Sequence, residues 1–85
     1  MPYFVYMIVT NNKGKFISYV GFTKNLSKRL NLHNQSKGAK FTRGRKWHLI
    51  YCLKFKDKND ALKYEYKLKK DYKLRKQIKE KYLTK

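Results

Sequence analysis

The sequence predicts an α+β domain in which two strands, a helix, a third strand and two further helices follow one another, a ββαβαα order. Three observations predict it. Two apolar, β-prone runs flank the turn residues Asn11-Asn12-Lys13-Gly14, a third such run lies between Trp47 and Phe55, and apolar residues recur at helical spacing in the segments after the second and third runs. At 85 residues the chain is expected to form one domain over its whole length, because a second core would bury too little apolar surface to offset the entropy of ordering it.

Tyr3 to Thr10 and Phe16 to Phe22 read as the strands of a β-hairpin. A turn centred between Asn12 and Lys13 sets Tyr6 directly opposite Tyr19, with both phenols on one face. After Gly21, Thr23 or Asn25 can cap a helix that runs through Leu26 and Leu30 to about Asn34, where Ser36-Lys37-Gly38 ends it. Leu26 and Leu30 anchor that helix to the core, and Arg29 and His33, one turn apart, project from one side of it. Both can therefore act on one ligand.

The segment Lys37 to Lys46 holds five Lys or Arg and two glycines without apolar periodicity, which predicts an exposed basic loop. Trp47 to Phe55 is the third strand, and His48 within it reads as structural among apolar neighbours. Asp57, Asn59 and Asp60 supply capping groups for a helix from about Asp60 to Lys70. A shorter third helix carries Leu74, Ile78 and Tyr82, with the last ten residues expected to fray.

Composition narrows the class of partner. Apolar residues make up 41% of the chain, enough for a globular core despite 33% charged residues. The net charge of +18, from 23 basic against 5 acidic residues, is a self-repulsion that a polyanion relieves. Nucleic acid, DNA or RNA, is the expected partner. An anionic membrane is the weaker alternative, because the cations are spread along the chain instead of lying on one amphipathic segment. Cys52 is the only cysteine and reads as a small buried apolar group, consistent with a reducing cytoplasm. No signal-peptide pattern opens the chain and no stretch is long enough to span a bilayer, so a soluble cytoplasmic monomer is expected.

Chemistry-bearing residues are few. Ala61, Glu65, Leu68 and Tyr72 fall on one helical stripe, so Glu65 interrupts a face that should pack on the sheet. A carboxylate there needs a partner. It can ligate a hard cation, Mg²⁺ or Mn²⁺, with phosphate and water completing the shell. It can equally pair with Lys69 at i,i+4, worth about 0.3–0.5 kcal/mol. Arg29 offers a planar fork suited to phosphate. His33 can pass a proton near neutrality. Facing phenols at Tyr6 and Tyr19 can hold a water or a phosphate oxygen. No zinc spacing, phosphate-binding glycine loop or serine triad is present.

Taken in order, Val5-Tyr6-Met7, Tyr19-Val20-Gly21, Arg29 with His33-Asn34, and Glu65-Tyr66 resemble the motifs of the GIY-YIG nuclease superfamily over nearly the whole chain. The stretch Gly38-Ala39-Lys40-Phe41-Thr42-Arg43-Gly44 and the short length resemble its small, stand-alone bacterial branch of the UPF0213 kind. The resemblance implies a three-stranded antiparallel sheet flanked by helices, and hydrolysis of a phosphodiester with one divalent ion. It matches Tyr6 to the tyrosine that deprotonates or orients the attacking water, and His33 to its hydrogen-bonding partner. Tyr19 matches the second motif tyrosine and Gly21 the motif glycine, which admits a close approach of backbone and substrate. Arg29 matches the phosphate-steadying arginine and Glu65 the metal ligand. Phe4 stands where glycine is usual in the first motif. The asparagine that some members carry after the metal glutamate is not evident, Gln77 being a distant stand-in.

The function that follows from the resemblance is a metal-dependent DNA endonuclease of weak sequence preference, suited to repair or structure-specific cleavage. The alternative is a non-catalytic basic nucleic-acid-binding module. Lys37, Lys40, Arg43, Arg45 and Lys46 are the candidates for backbone phosphate contacts, which position a substrate without reading its sequence.

Overall fold

In the computed structural model, which describes residues 2–84, the elements are β1 (Tyr3–Asn12), β2 (Lys15–Thr23), α1 (Leu26–Asn34), a 3₁₀ turn (Lys40–Thr42), β3 (His48–Phe55), α2 (Lys58–Lys70) and α3 (Tyr72–Leu83). The three strands form one antiparallel sheet in the order β2-β1-β3. This is the α+β arrangement that the hydrophobic runs predict. The central strand explains the run Val5-Tyr6-Met7-Ile8-Val9, since a strand covered on both faces has no solvent side on which to place polar residues. Every residue from Val5 to Thr10 is buried.

The hairpin register differs from the expected one. Asn12 pairs with Lys15, so the turn residues are Lys13 and Gly14, with φ of 55° and 89°. A two-residue hairpin turn of type I′ needs both central residues at positive φ, and its twist matches that of the strands. Gly14 meets this without cost, and its N–H donates to Asn11 Oδ1 at 3.0 Å. As a result Tyr6 faces Gly21 and Tyr19 faces Ile8. The partner moves by two residues, one full repeat of the pleat, so both phenols stay on the same face.

That face forms one of two cores. Tyr6, Ile8 and Trp47 are buried there, with Ile17, Tyr19, Leu26, Leu30 and Cys52 packed around them. Val5, Met7, Val20, Ala61, Leu68 and Ile78 form the other, under α2 and α3. Trp47 is a core anchor just before β3 and not its first strand residue. His48 is exposed, which corrects its expected burial among apolar neighbours: it begins an edge strand, where the following residue, Leu49, is also 36% exposed. A register shift between Met7 and Ile8 in the β1–β3 pairing places Tyr51 opposite Met7 and Leu49 opposite Ile8, leaving Ile50 as the extra residue.

Helix ends follow the capping chemistry. Asn25 caps α1 by accepting from Lys28 N at 3.1 Å, and Thr23 Oγ1 accepts from Asn25 N. Asp57 caps α2, which therefore starts at Lys58, ahead of the expected Asp60. Asp71 closes α2 and caps α3 through Leu74 N at 3.0 Å. None of the described helices is long and apolar enough to cross a membrane.

Two glycines separate two physical costs. Ala at Gly14 meets no atom within 4 Å but must hold a positive φ, so Gly14→Ala should cost about 1 kcal/mol in urea unfolding. Ala at Gly21 drives its Cβ into the buried Tyr6 phenol, and Gly21→Ala should cost about 3 kcal/mol through overpacking, clearly more than Gly14→Ala. Equal costs at the two positions would contradict this assignment.

Candidate active site

Tyr6 lies in the middle of the central strand, and its ring extends over the glycine opposite. Gly21 is the space the phenol occupies: a Cβ there would collide with Tyr6 Oη and Cζ. Whereas the resemblance assigns this glycine to close approach of a substrate, in this chain its bare backbone accommodates a tyrosine of its own sheet. The phenol is 1% exposed, yet its oxygen is polar, so it requires a partner inside. α1 supplies two. Tyr6 Oη and His33 Nε2 are 2.7 Å apart, and Arg29 Nε–H donates to Tyr6 Oη over a long 3.4 Å. The one-turn spacing of Arg29 and His33 thus places both on a single oxygen.

The electrostatics of this trio are one-directional. Burial raises the Tyr6 phenol above its ordinary 10.0, against the pull of Arg29's hydrogen bond and charge. Burial holds the His33 imidazole below its ordinary 6.5, and the nearby Arg29 charge adds to this. The hydrogen bond with Tyr6 raises Arg29 further. At neutral pH the site therefore holds a neutral phenol, a neutral imidazole and a fixed cation.

His33 is wholly buried, and its far side is built from the segment expected to be an exposed loop. Its Nδ1 lies 2.8 Å from Thr42 Oγ1, whose hydroxyl donates to the Ala39 carbonyl at 2.8 Å. Gly38 lies against the imidazole, where a Cβ would come within 2.5 Å of Nδ1. Asn34 clamps the other end of the segment: its Oδ1 accepts from Trp47 N at 2.6 Å and its Nδ2 donates to Trp47 O at 3.2 Å. The Trp47 indole N–H in turn donates to the Thr42 carbonyl at 2.8 Å. Thr42 is fully buried in the middle of this basic segment. Composition alone hid it, since a single threonine among cations carries no periodic signal.

Tyr19 stands beside the trio, with its ring 5.3 Å from His33 edge-on and stacked on Phe41 at 6.2 Å. Phe41 is 52% exposed. Of the basic candidates, Lys37, Lys40, Arg43 and Lys46 are exposed and free to reach a polyanion. Arg45 is half-buried with its guanidinium 5.7 Å from the Phe41 ring centre, and its buried Nη1 has no hydrogen-bond partner among the described residues.

Glu65 comes from α2, on the stripe of buried Ala61 and Leu68, and its side chain is 19% exposed. Its ion-pair partner is Lys69 Nζ at 3.5 Å, and its charge adds to the upward shift of Tyr6. Of the two expectations for Glu65, the structure shows the i,i+4 pair with Lys69, at the edge of a packed face. Among the described residues no three His, Cys, Asp or Glu side chains cluster, so the chain offers no closed cage for a metal. One accessible carboxylate fits a hard ion that keeps several waters and shares its shell with a substrate phosphate. Gln77 lines a separate cleft with Ile50, Tyr51, Leu74 and Ile78, and takes no part in the site.

Comparison with known proteins identifies the family and the fold. Residues 2–81 match the GIY-YIG catalytic domain family. A UPF0213 protein of Staphylococcus aureus is 40% identical over 68 residues, 79% of each chain. Another, from Oceanobacillus iheyensis, is 46% identical over 52 residues, and the match spans only 60% of that relative's length. The solution NMR structure of a UPF0213 protein from Bacillus halodurans aligns with a TM-score of 0.51 at 32% identity, covering 92% of this chain and 82% of that one. A buried tyrosine over a glycine, held by a histidine and an arginine of the following helix, is thus carried on a fold shared with a solved relative, and the chain belongs to the GIY-YIG family.

Proposed function

We propose that the chain is a metal-dependent endonuclease that hydrolyses phosphodiester bonds of DNA with weak sequence preference, in repair or structure-specific cleavage. The observation that carries this is the Tyr6–His33 pair at 2.7 Å with Arg29 on the same oxygen, in a chain of net charge +18. A buried phenol backed by a neutral imidazole is a proton path from a polar surface into the protein.

Tyr6 is a poor base by itself, because burial disfavours its anion. It can take a proton from an attacking water only while giving its own to His33 Nε2. The water oxygen bonds to phosphorus as the bond to the leaving oxygen breaks, and the leaving oxygen takes a proton from solvent. His33 ends as imidazolium and, being buried, returns its proton by the same route, to Tyr6 as the phenol gives one up to water. Arg29 meets the charge that builds on the phosphate, and stays protonated throughout. Tyr19 positions water or phosphate beside it. Glu65 would hold one Mg²⁺ or Mn²⁺, which would supply Lewis-acid stabilisation to the phosphate. Lys37, Lys40, Arg43 and Lys46 contact the backbone on either side, with Arg45 tied back onto Phe41. The substrate is nucleic acid, and no second subunit is required to complete this set of residues.

The test is cleavage of labelled duplex, flap and single-stranded DNA with Mg²⁺ or Mn²⁺ by wild type, Tyr6→Phe and Glu65→Gln. Tyr6→Phe should lose about 100-fold or more in cleavage rate, the scale of a lost general base. Glu65→Gln should lose metal-dependent turnover while DNA binding in a gel-shift assay holds. Binding without cleavage by wild type in either metal would leave a nucleic-acid-binding module and exclude the enzyme.

The pH profile gives a second check. His33 must be neutral to accept the proton, and its pKa in the fold lies below 6.5 through burial and Arg29. Activity should therefore be intact at pH 7 and lost only as pH falls below 6.5, with the acid midpoint on the low side of that value. A midpoint above it would contradict the assignment.

A further inference from the structure

The oxygens on the two sides of His33 each own one proton, and both protons are accounted for. Thr42 Oγ1 lies 2.8 Å from the Ala39 carbonyl, which can only accept, so the threonine proton points at Ala39. What Thr42 then presents to His33 Nδ1, 2.8 Å away, is a lone pair, and that nitrogen must carry a hydrogen. On the other side, Tyr6 Oη has Arg29 as its second neighbour, and a guanidinium can only donate. The phenol proton has one acceptor within reach, His33 Nε2 at 2.7 Å. Two independent proton counts converge on one state of the ring. We infer that Thr42 is a positioning residue, which holds His33 as the Nδ1–H tautomer and so leaves Nε2 bare to receive the proton of Tyr6.

The inference rests on the nuclease reading only for its consequence, since the tautomer is a property of the resting protein. Its mechanical setting gives it a function. Thr42 ends the short turn that presents Lys40, and Arg43 follows it, both exposed. Its carbonyl is fixed by the Trp47 indole, and Asn34 fixes Trp47. The same segment that offers cations to a polyanion therefore sets the direction of the internal hydrogen-bond chain, Arg29 to Tyr6 to His33 to Thr42 to Ala39. Reversing the ring's tautomer would leave the Tyr6 proton facing an N–H and the Thr42 proton facing a choice between two acceptors. A chain of this kind is ordered only if its terminal acceptor is fixed, and here that acceptor is a main-chain carbonyl.

Long-range ¹H–¹⁵N correlation spectroscopy on the ¹⁵N-labelled protein reads the tautomer directly, and His48, exposed, is the other histidine and provides a reference. The wild type should show His33 protonated at Nδ1 and bare at Nε2. Thr42→Val, which keeps the volume and removes the acceptor, should abolish that bias, and Thr42→Ser should restore it. In cleavage assays Thr42→Val should lower the rate at saturating substrate by roughly 10- to 100-fold with little change in KM, with recovery in Thr42→Ser. A wild-type ring protonated at Nε2 overturns the inference, as does an unchanged tautomer in folded Thr42→Val. Should Thr42→Val not fold, the wild-type spectrum still decides the ring state, and Thr42→Ala set against Thr42→Ser, one without the hydroxyl and one with it, decides the role of the hydroxyl by whether only the first loses the tautomer bias. If the wild type shows the Nδ1–H ring but cleaves nothing, the nuclease reading fails while the assignment of Thr42 stands.

Discussion

A central strand with both faces covered can hold a polar side chain only if its polar atom is satisfied inside the protein. From Val5 to Thr10 no side chain of β1 reaches solvent, and Tyr6 is the one long polar residue in that run. The rest of the site depends on this constraint. The ring needs the room left by Gly21, its oxygen needs His33 and Arg29, and the spacing of those two on α1 fixes how the helix must lie on the sheet. His33, buried in turn, needs Thr42, and Thr42 brings the basic segment against the helix. An unpartnered buried hydroxyl or amide costs about 1–3 kcal/mol, so each member of the chain stabilises the placement of the next.

Charge distribution separates attraction from chemistry. Of the five acids, Asp57 and Asp71 cap helices and Asp60 lies in the first turn of α2, where each complements a helix N-terminus. Glu80 lies on α3, away from Tyr6. This leaves Glu65 as the one carboxylate whose field reaches the phenol. The exposed cations supply a long-range, salt-sensitive attraction that does not depend on any single contact. In the proposed nuclease, loss of one lysine would therefore change affinity by a fraction, whereas Tyr6, His33 and Glu65 would have no substitutes. A small domain can carry both properties because they use different residues.

Much of the fold was legible in the sequence, because long apolar runs and capping residues are local signals. The run at Val5–Val9 marks a strand, Asn25 and Asp57 mark helix starts, and the Arg29–His33 spacing marks a shared face. The register was not, since it turned on whether Lys13 would take a positive φ, and only the twist of the assembled hairpin decides that. The face survived the error because the shift was one full pleat. The buried roles of Trp47, placed by the sequence reading at the start of a strand, and of Thr42, named only in a motif stretch, escape it for a different reason. Their burial comes from contacts with Asn34, Tyr19 and His33, and a segment rich in cations has no periodicity from which to read such contacts. Gly38 and Gly21 illustrate the same limit: each glycine is explained by a side chain distant in the chain or across the sheet, not by its own turn.

The position of Arg29 ties the two parts of the site together. Its charge favours an anionic Tyr6 and opposes a cationic His33, so in the resting protein it favours one half of a proton transfer and hinders the other. A phosphate drawn onto the guanidinium would cancel part of that field at His33, which then becomes more basic at the moment its basicity is needed. It would also weaken the stabilisation of a free tyrosinate, so the concerted transfer gains over a stepwise one. Lysine at this position could not serve equally: it has no planar fork to hold Tyr6 and a phosphate together, and burial would lower its own pKa. The long 3.4 Å contact to Tyr6 leaves the guanidinium capacity for the stronger, charged partner that the proposed mechanism brings to it.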